Sequence, residues 1–257
     1  MVTPTYEIFA LKYAGPLVRP ASMVTWFQDI DKMTEINYYI FAIRGGGETI
    51  IVDCGVAPKL GAERNLNGYE NPAEVLKRIG IDAEQAKHVV VTHIHFDHIS
   101  GAELFPQATF YVQEKEFLFW MKNPIAQKTP FKNLTDPVGN RYLADLKGTK
   151  RLRLIRGSKR ILPGIELIPA PGHTVGLQVV AVNTAKGTAV VGSDLAHLFG
   201  SYRTDIPSAI ITDMIGWMKS FDKIRAKASS IDLIFPGHDP ALLTNYPKVA
   251  EGVSQLV

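Results

Sequence analysis

The chain has a single cysteine, Cys54, among 257 residues. An internal disulfide is therefore impossible, and a Cys-built structural zinc site is excluded with it. One cysteine suits a reduced, cytosolic setting. No apolar run approaches the ~18 residues needed to cross a bilayer. The opening "MVTPTYEIFALKYAG" lacks a basic stretch followed by an apolar one, so it reads as a first strand and not as a signal peptide. A cytoplasmic location without a membrane partner is expected. Basic runs are missing too: 28 Lys and Arg stand scattered against 25 Asp and Glu, for a net charge of +3. That argues against a nucleic-acid groove. With no repeat, low-complexity tract or linker-like break, a single domain over residues 1–257 is expected, long enough for a sizeable core.

What is present is strand-rich at both ends. Segments 6–14, 37–45 and 48–55 read as strands, and "RGGGE" as a glycine turn between the last two. Residues 71–80 read as a helix closed by glycine. "KHVVVTH" (87–93) is short, β-branched and continuously apolar, the mark of a strand buried on both faces. Residues 108–113 read as a strand and 115–123 as a helix, followed by helices and loops over 124–150. Strands resume in "RLRLI", "IELIPA", "LQVVAVNT" and "TAVVGSD". An amphipathic helix covers 213–228, and "DLIFPGHD" (232–239) ends a last strand.

The histidines lie at 88, 93, 95, 98, 173, 197 and 238. Most follow an apolar strand and sit beside Gly, Pro or Asp, in "THIHFDH", "PGHT" and "PGHD". In an extended segment His93 and His95 point the same way and can reach one ion. Asp97 and His98 follow as the chain turns, toward a second site. His173, Asp194 and His238 sit behind further strands and offer the remaining ligands. Neutral imidazole and carboxylate suit zinc, with iron, manganese and cobalt as other candidates. Burying so many polar groups unpaired would cost several kcal/mol. Seven candidate ligands without a cysteine favour two open ions over one closed structural site.

His-x-His-x-Asp-His at 93–98, then His173, Asp194 and His238 in that order, resembles the metallo-β-lactamase superfamily over essentially the whole chain. The resemblance implies an α/β fold, a four-layer αβ/βα sandwich with the metals at one edge between two sheets. It implies that His93, His95 and His173 hold one ion, that Asp97, His98 and His238 hold the other, and that Asp194 bridges them. A bridging hydroxide would then attack a substrate carbonyl, with Asp97 or His197 moving the proton.

Several branches do not fit. Penicillin-degrading members of the best-known subclass place Cys where this chain has Asp194. Diiron flavin-linked members replace a motif His with Glu, and glyoxalase II-like thioesterases carry a helical domain for which too few residues follow His238. The stretch "HFDHISGAELFPQATFYVQEKEF" is most similar to lactonases that open N-acyl homoserine lactones or related cyclic esters. Those enzymes commonly place Tyr three residues after the bridging Asp; "SDLAH" puts His197 there, as a proton donor or as packing. Hydrolysis of a cyclic amide, thioester, phosphodiester or activated aromatic substituent at the same site is the alternative. The aromatics of "FLFWMKNPIAQKTPF" (117–131) and "MVTWF" (23–27) could line a pocket for an apolar or aromatic part of a small-molecule substrate. They could equally be core or the face of a homodimer. Cys54 reads as a small buried residue.

Overall fold

The computed structural model describes residues 3–257. Its strands are β1 (Glu7–Pro20), β2 (Met33–Gly45), β3 (Glu48–Val52), β4 (His88–Val90), β5 (Thr109–Gln113), β6 (Leu152–Ile155), β7 (Lys159–Leu162), β8 (Ile165–Pro169), β9 (Gln178–Thr184), β10 (Gly187–Ser193), β11 (Ile234–Pro236), β12 (Lys248–Ala250) and β13 (Val253–Gln255). They form two sheets. An eight-stranded sheet runs β12-β13-β1-β2-β3-β4-β5-β6, and a five-stranded sheet runs β11-β10-β9-β8-β7.

Strand periodicity sorts side chains into layers. In β1, Ile8 and Ala10 face the second sheet, where they meet Ile165, Val180, Val191 and Phe235 in one buried cluster. The alternate residues Phe9 and Leu11 join the outer cluster with Val75, Leu76, Phe117 and Leu143, from helices Pro72–Lys77, Glu114–Lys122 and Pro137–Asp145. The second sheet does the same: Val179 and Ala181 turn outward onto Trp217, Phe221 and Ile224 of helix Met214–Lys227. The result is the expected α/β sandwich of helix, sheet, sheet and helix layers. No described helix is long and apolar enough to cross a membrane.

The glycine turn between β2 and β3 is a tight hairpin. Gly45 pairs with Glu48, and Gly46 and Gly47 take the positive φ values that a primed turn requires. Other elements depart from the sequence reading. β1 and β2 run longer than expected, staying paired through residues 17–20 and 33–36, where Arg19 and Ile36 border the site cavity. β4 stops at Val90 instead of reaching residue 93, because the backbone N–H of Thr92 bonds a side chain, Asp53 Oδ1, at 2.7 Å. The strand read over 232–239 is only Ile234–Pro236, at one edge of the second sheet, and β7, β12 and β13 are strands without a periodic apolar signal.

Gln178 ties the sheets together. It opens β9, is fully buried, and donates its Nε2 to the carbonyls of Val91 (2.8 Å) and Tyr111 (2.9 Å) in the other sheet. Its own N–H bonds Thr92 O at 2.9 Å. Leucine at this position would strand the buried Val91 carbonyl and take one of two donors from that of Tyr111, which keeps the Val91 N–H at 3.1 Å. Gln178→Leu is expected to destabilise the chain by about 2–4 kcal/mol, read from the urea midpoint at unchanged slope; a loss below about 1 kcal/mol would contradict this role.

Candidate metal centre

Four strand ends deliver the seven candidate ligands. The chain after β4 carries His93 and His95, then Asp97 and His98 on the one-turn helix Phe96–Ile99. The ends of β8, β10 and β11 lead into His173, Asp194 and His238. All seven are buried, none more than 7% exposed. Their ligand atoms fall into converging groups: His93, His95, His173 and Asp194 in one, Asp97, His98 and His238 in another, each within 4.8 Å.

Asp194 faces both groups. Its Oδ2 lies 3.3 Å from His173 Nε2 and 3.8 Å from His93 Nε2. Its Oδ1 lies 2.9 Å from His238 Nε2 and 3.2 Å from His98 Nε2. Yet Asp194 Oδ1, His93 Nε2 and His98 Nε2 are buried without a hydrogen bond. Buried polar atoms that crowd together but do not pair are costly. They have the arrangement of ligands aimed at shared points between them, so the residues fit divalent cations, zinc among them.

The imidazoles are held from behind. Ligating histidines ordinarily bond a second group through the other ring nitrogen. Here Nδ1 of His98 meets Asp53 Oδ2 at 2.8 Å, and those of His173 and His238 meet the carbonyls of Ile210 and Asn37, each at 2.9 Å. His93 Nδ1 lies 3.1 Å from Thr92 Oγ1. Close backbone approach completes the set: a Cβ on Gly237 would come 2.6 Å from Asp194 Oδ1.

Electrostatics pull in two directions. Burial, with the neighbouring imidazoles, pushes His93 and His95 well below the usual histidine range. Burial acts the same way on His98 and His238, but Asp194 and Asp97 overcome it and raise both. Burial would raise the Asp97 carboxyl, yet His98 and His238 bring it down to about 2. The carboxylates thus draw positive charge into a dry site.

His197 stands beside these groups and differs from them. Its Nε2 is 3.5 Å from Asp194 Oδ2, and its ring centroid is 5.0 Å from that of His238. Its Nδ1 is buried without a partner, unlike the nitrogens that orient the other rings. Burial brings its pKa down to about 3, so the ring is neutral.

Two residues that the sequence reading passed over carry much of the support. Asp53, at the end of β3 with φ +67°, accepts from Thr92 N–H, from the hydroxyls of Thr92 and Ser193, and from His98 Nδ1. Glu116 is fully buried and accepts from the N–H of Ile94 (3.0 Å), the N–H of Gly176 (2.8 Å) and Trp120 Nε1 (2.7 Å). It pins the His93–His95 loop to the loop after His173. Burial raises its pKa despite those bonds.

A small open cavity of about 90 Å³ reaches His95, Asp97, Asp194, His197 and His238, with Met23, Val24, Phe96 and Leu134 in its wall. The expected aromatic lining is only partly there. Met23 and Val24 contribute, but Trp26 and Phe27 are exposed. Phe117 and Trp120 turn inward because their helix packs on the sheet, and Trp120 backs His95 at 5.6 Å instead of meeting substrate. Cys54 is fully buried, and burial raises its thiol well above the usual range.

A two-sheet sandwich with buried histidines and aspartates gathered for cations at its strand ends defines a metal-dependent hydrolase. The chain belongs to the metallo-beta-lactamase superfamily, whose family model matches residues 33–238. An N-acyl homoserine lactonase from Bacillus sp is 25% identical over 192 residues, covering 73% of this chain and 67% of the relative. A probable metallo-hydrolase of Mycobacterium tuberculosis is 24% identical over 182 residues, covering 68% of this chain and 58% of that protein. The crystal structure of a quorum-quenching N-acyl homoserine lactone lactonase superposes with a TM-score of 0.78 at 18% identity, over 96% of this chain and 98% of that one.

Replacing Asp53 by Asn removes the charge behind His98. Affinity for zinc, measured by competition with a chromogenic chelator, is expected to fall about 10–100-fold with an unchanged far-UV circular dichroism spectrum. Unchanged affinity would contradict the supporting role.

Proposed function

We propose that the chain is a dinuclear metal-dependent lactonase acting on a small cyclic ester. The observation that carries this reading is Asp194, whose two oxygens face separate ligand groups that open on one cavity. The lactonase relatives support the choice of substrate class. His93, His95 and His173 would hold one ion, Asp97, His98 and His238 the other, and Asp194 both. Two such ions, zinc first among the candidates, supply Lewis acidity for a carbonyl and lower the pKa of water to about 7.

The protein's own residues do the rest. Asp97, ionised and lining the cavity, accepts the proton that the attacking water gives up. Ring opening breaks the acyl C–O bond and leaves an alkoxide, which needs a proton to become the hydroxy acid product. The proton taken up by Asp97 returns to that oxygen, which neutral His197 holds by a hydrogen bond from Nε2, so both side chains end as they began. Met23, Val24 and Leu134 keep the ring side of the cavity apolar and limit competing water.

The presence of His197 where the resembling lactonases carry Tyr keeps a cyclic amide as the second reading. A turnover screen over γ- and δ-lactones separates the two. Hydrolysis of at least one lactone is expected; turnover of a cyclic amide, thioester or phosphodiester with every lactone inert would contradict the proposal. His197→Ala is expected to lower kcat by about 10²-fold with the metal content retained. Loss of an ion in that variant would make His197 a ligand instead, since its nitrogen also converges with Asp194 and His238.

A further inference from the structure

Among the described residues, Arg19 is the one Lys or Arg that lines the site cavity. It stands near the end of β1, paired in register with Thr34 of β2. Farther along β2, Tyr38 enters the same cavity. The guanidinium donates to its neighbour Val18 O at 2.9 Å. It also lies beside the Tyr38 hydroxyl, whose upward shift through burial it opposes. Among the described residues it forms no ion pair, whereas Arg44, Arg78, Arg156, Arg203 and Arg225 each hold a carboxylate. A half-buried guanidinium fork with unused donors is therefore aimed at a space that reaches the metal centre.

The distance between the two is short. The Tyr38 ring packs 5.2 Å from that of His238 and 6.1 Å from that of Phe96. Arg64, exposed, lies 3.8 Å over the Phe96 ring and adds positive charge at the rim. A purely apolar substrate tail would have to cover Arg19 and strip its water without return. A planar carboxylate would take two parallel N–H bonds from the fork and a third from the phenol. Met23, Val24 and Ile36 beside it suit a short methylene stem.

We infer that Arg19 and the Tyr38 hydroxyl form a carboxylate-binding subsite, and that the substrate carries a carboxylate-ended side chain a few bonds from the ring. The ring chemistry rests on the lactonase reading; the subsite does not. Binding of two unreactive probes to the zinc-loaded protein tests it: N-cyclopentyl succinamate and its methyl ester, measured by isothermal titration. The native protein is expected to bind the acid at least about tenfold more tightly than the ester. Arg19→Gln is expected to abolish that preference and leave ester binding within about twofold, while Arg19→Lys, lacking the fork, keeps only part of it. In turnover, N-succinyl homoserine lactone is expected to lose about tenfold in kcat/KM in Arg19→Gln, through KM, with its methyl ester unaffected. Equal binding of acid and ester by the native protein, or equal loss of both in Arg19→Gln, would overturn the inference. An acid preference that depends on Arg19, with both lactones inert, would uphold the subsite and count against the lactonase reading.

Discussion

Asp194 places one carboxylate oxygen against His93 and His173 and the other against His98 and His238, deep in the junction of two sheets. Among the described residues no other side chain spans both groups in this way. The arrangement demands positive charge. Asp194 and Asp97 raise His98 and His238 against the burial that would lower them, while His93 and His95 are forced neutral a few ångströms away. Several of the cluster's ligand atoms stay without a hydrogen bond although they lie within a few ångströms of one another. Divalent cations satisfy it directly, through ligands already aimed at common points.

The surrounding fold serves to hold that cluster still. Strand ends carry the ligands, and buried acids and amides lock the ends to one another. Asp53 links β3 to the loop after β4 and to Ser193 at the end of β10. Glu116 binds the backbone beside His95 and the backbone beyond His173. Gln178 stitches the sheets just behind them. Each of these is fully paired, which is the condition under which buried polar groups rigidify a site and do not weaken it. His197 differs from the ligand histidines whose Nδ1 is held from behind: its own Nδ1 is unpartnered.

Most of this centre was legible in the sequence because its signal is local. Apolar β-branched runs ending in His, Asp and Gly mark strand ends with ligands, and their order along the chain matches the superfamily. The two-layer core follows from the same alternation. The supporting residues were not legible. Asp53 and Glu116 sit in ordinary strand and helix contexts, and their roles exist only through partners brought near by folding, 39 positions away for Thr92 and 60 for Gly176. Nothing in the apolar pattern of "FLFWMKN" told whether Trp120 would face substrate or core; the packing of its helix on the sheet decided it. The edge strands β7 and β12 carry exposed charged residues, and β13, between β12 and β1, is only three residues long, so none shows the periodicity that reveals the longer strands.

The metal content of the native chain, purified without chelators and measured by plasma mass spectrometry alongside Asp194→Ala, bears most directly on this account. About two divalent ions per chain are expected in the native protein, with the variant dropping to one or fewer. A native chain that holds at most one ion, or an Asp194→Ala variant that keeps both, would contradict the account.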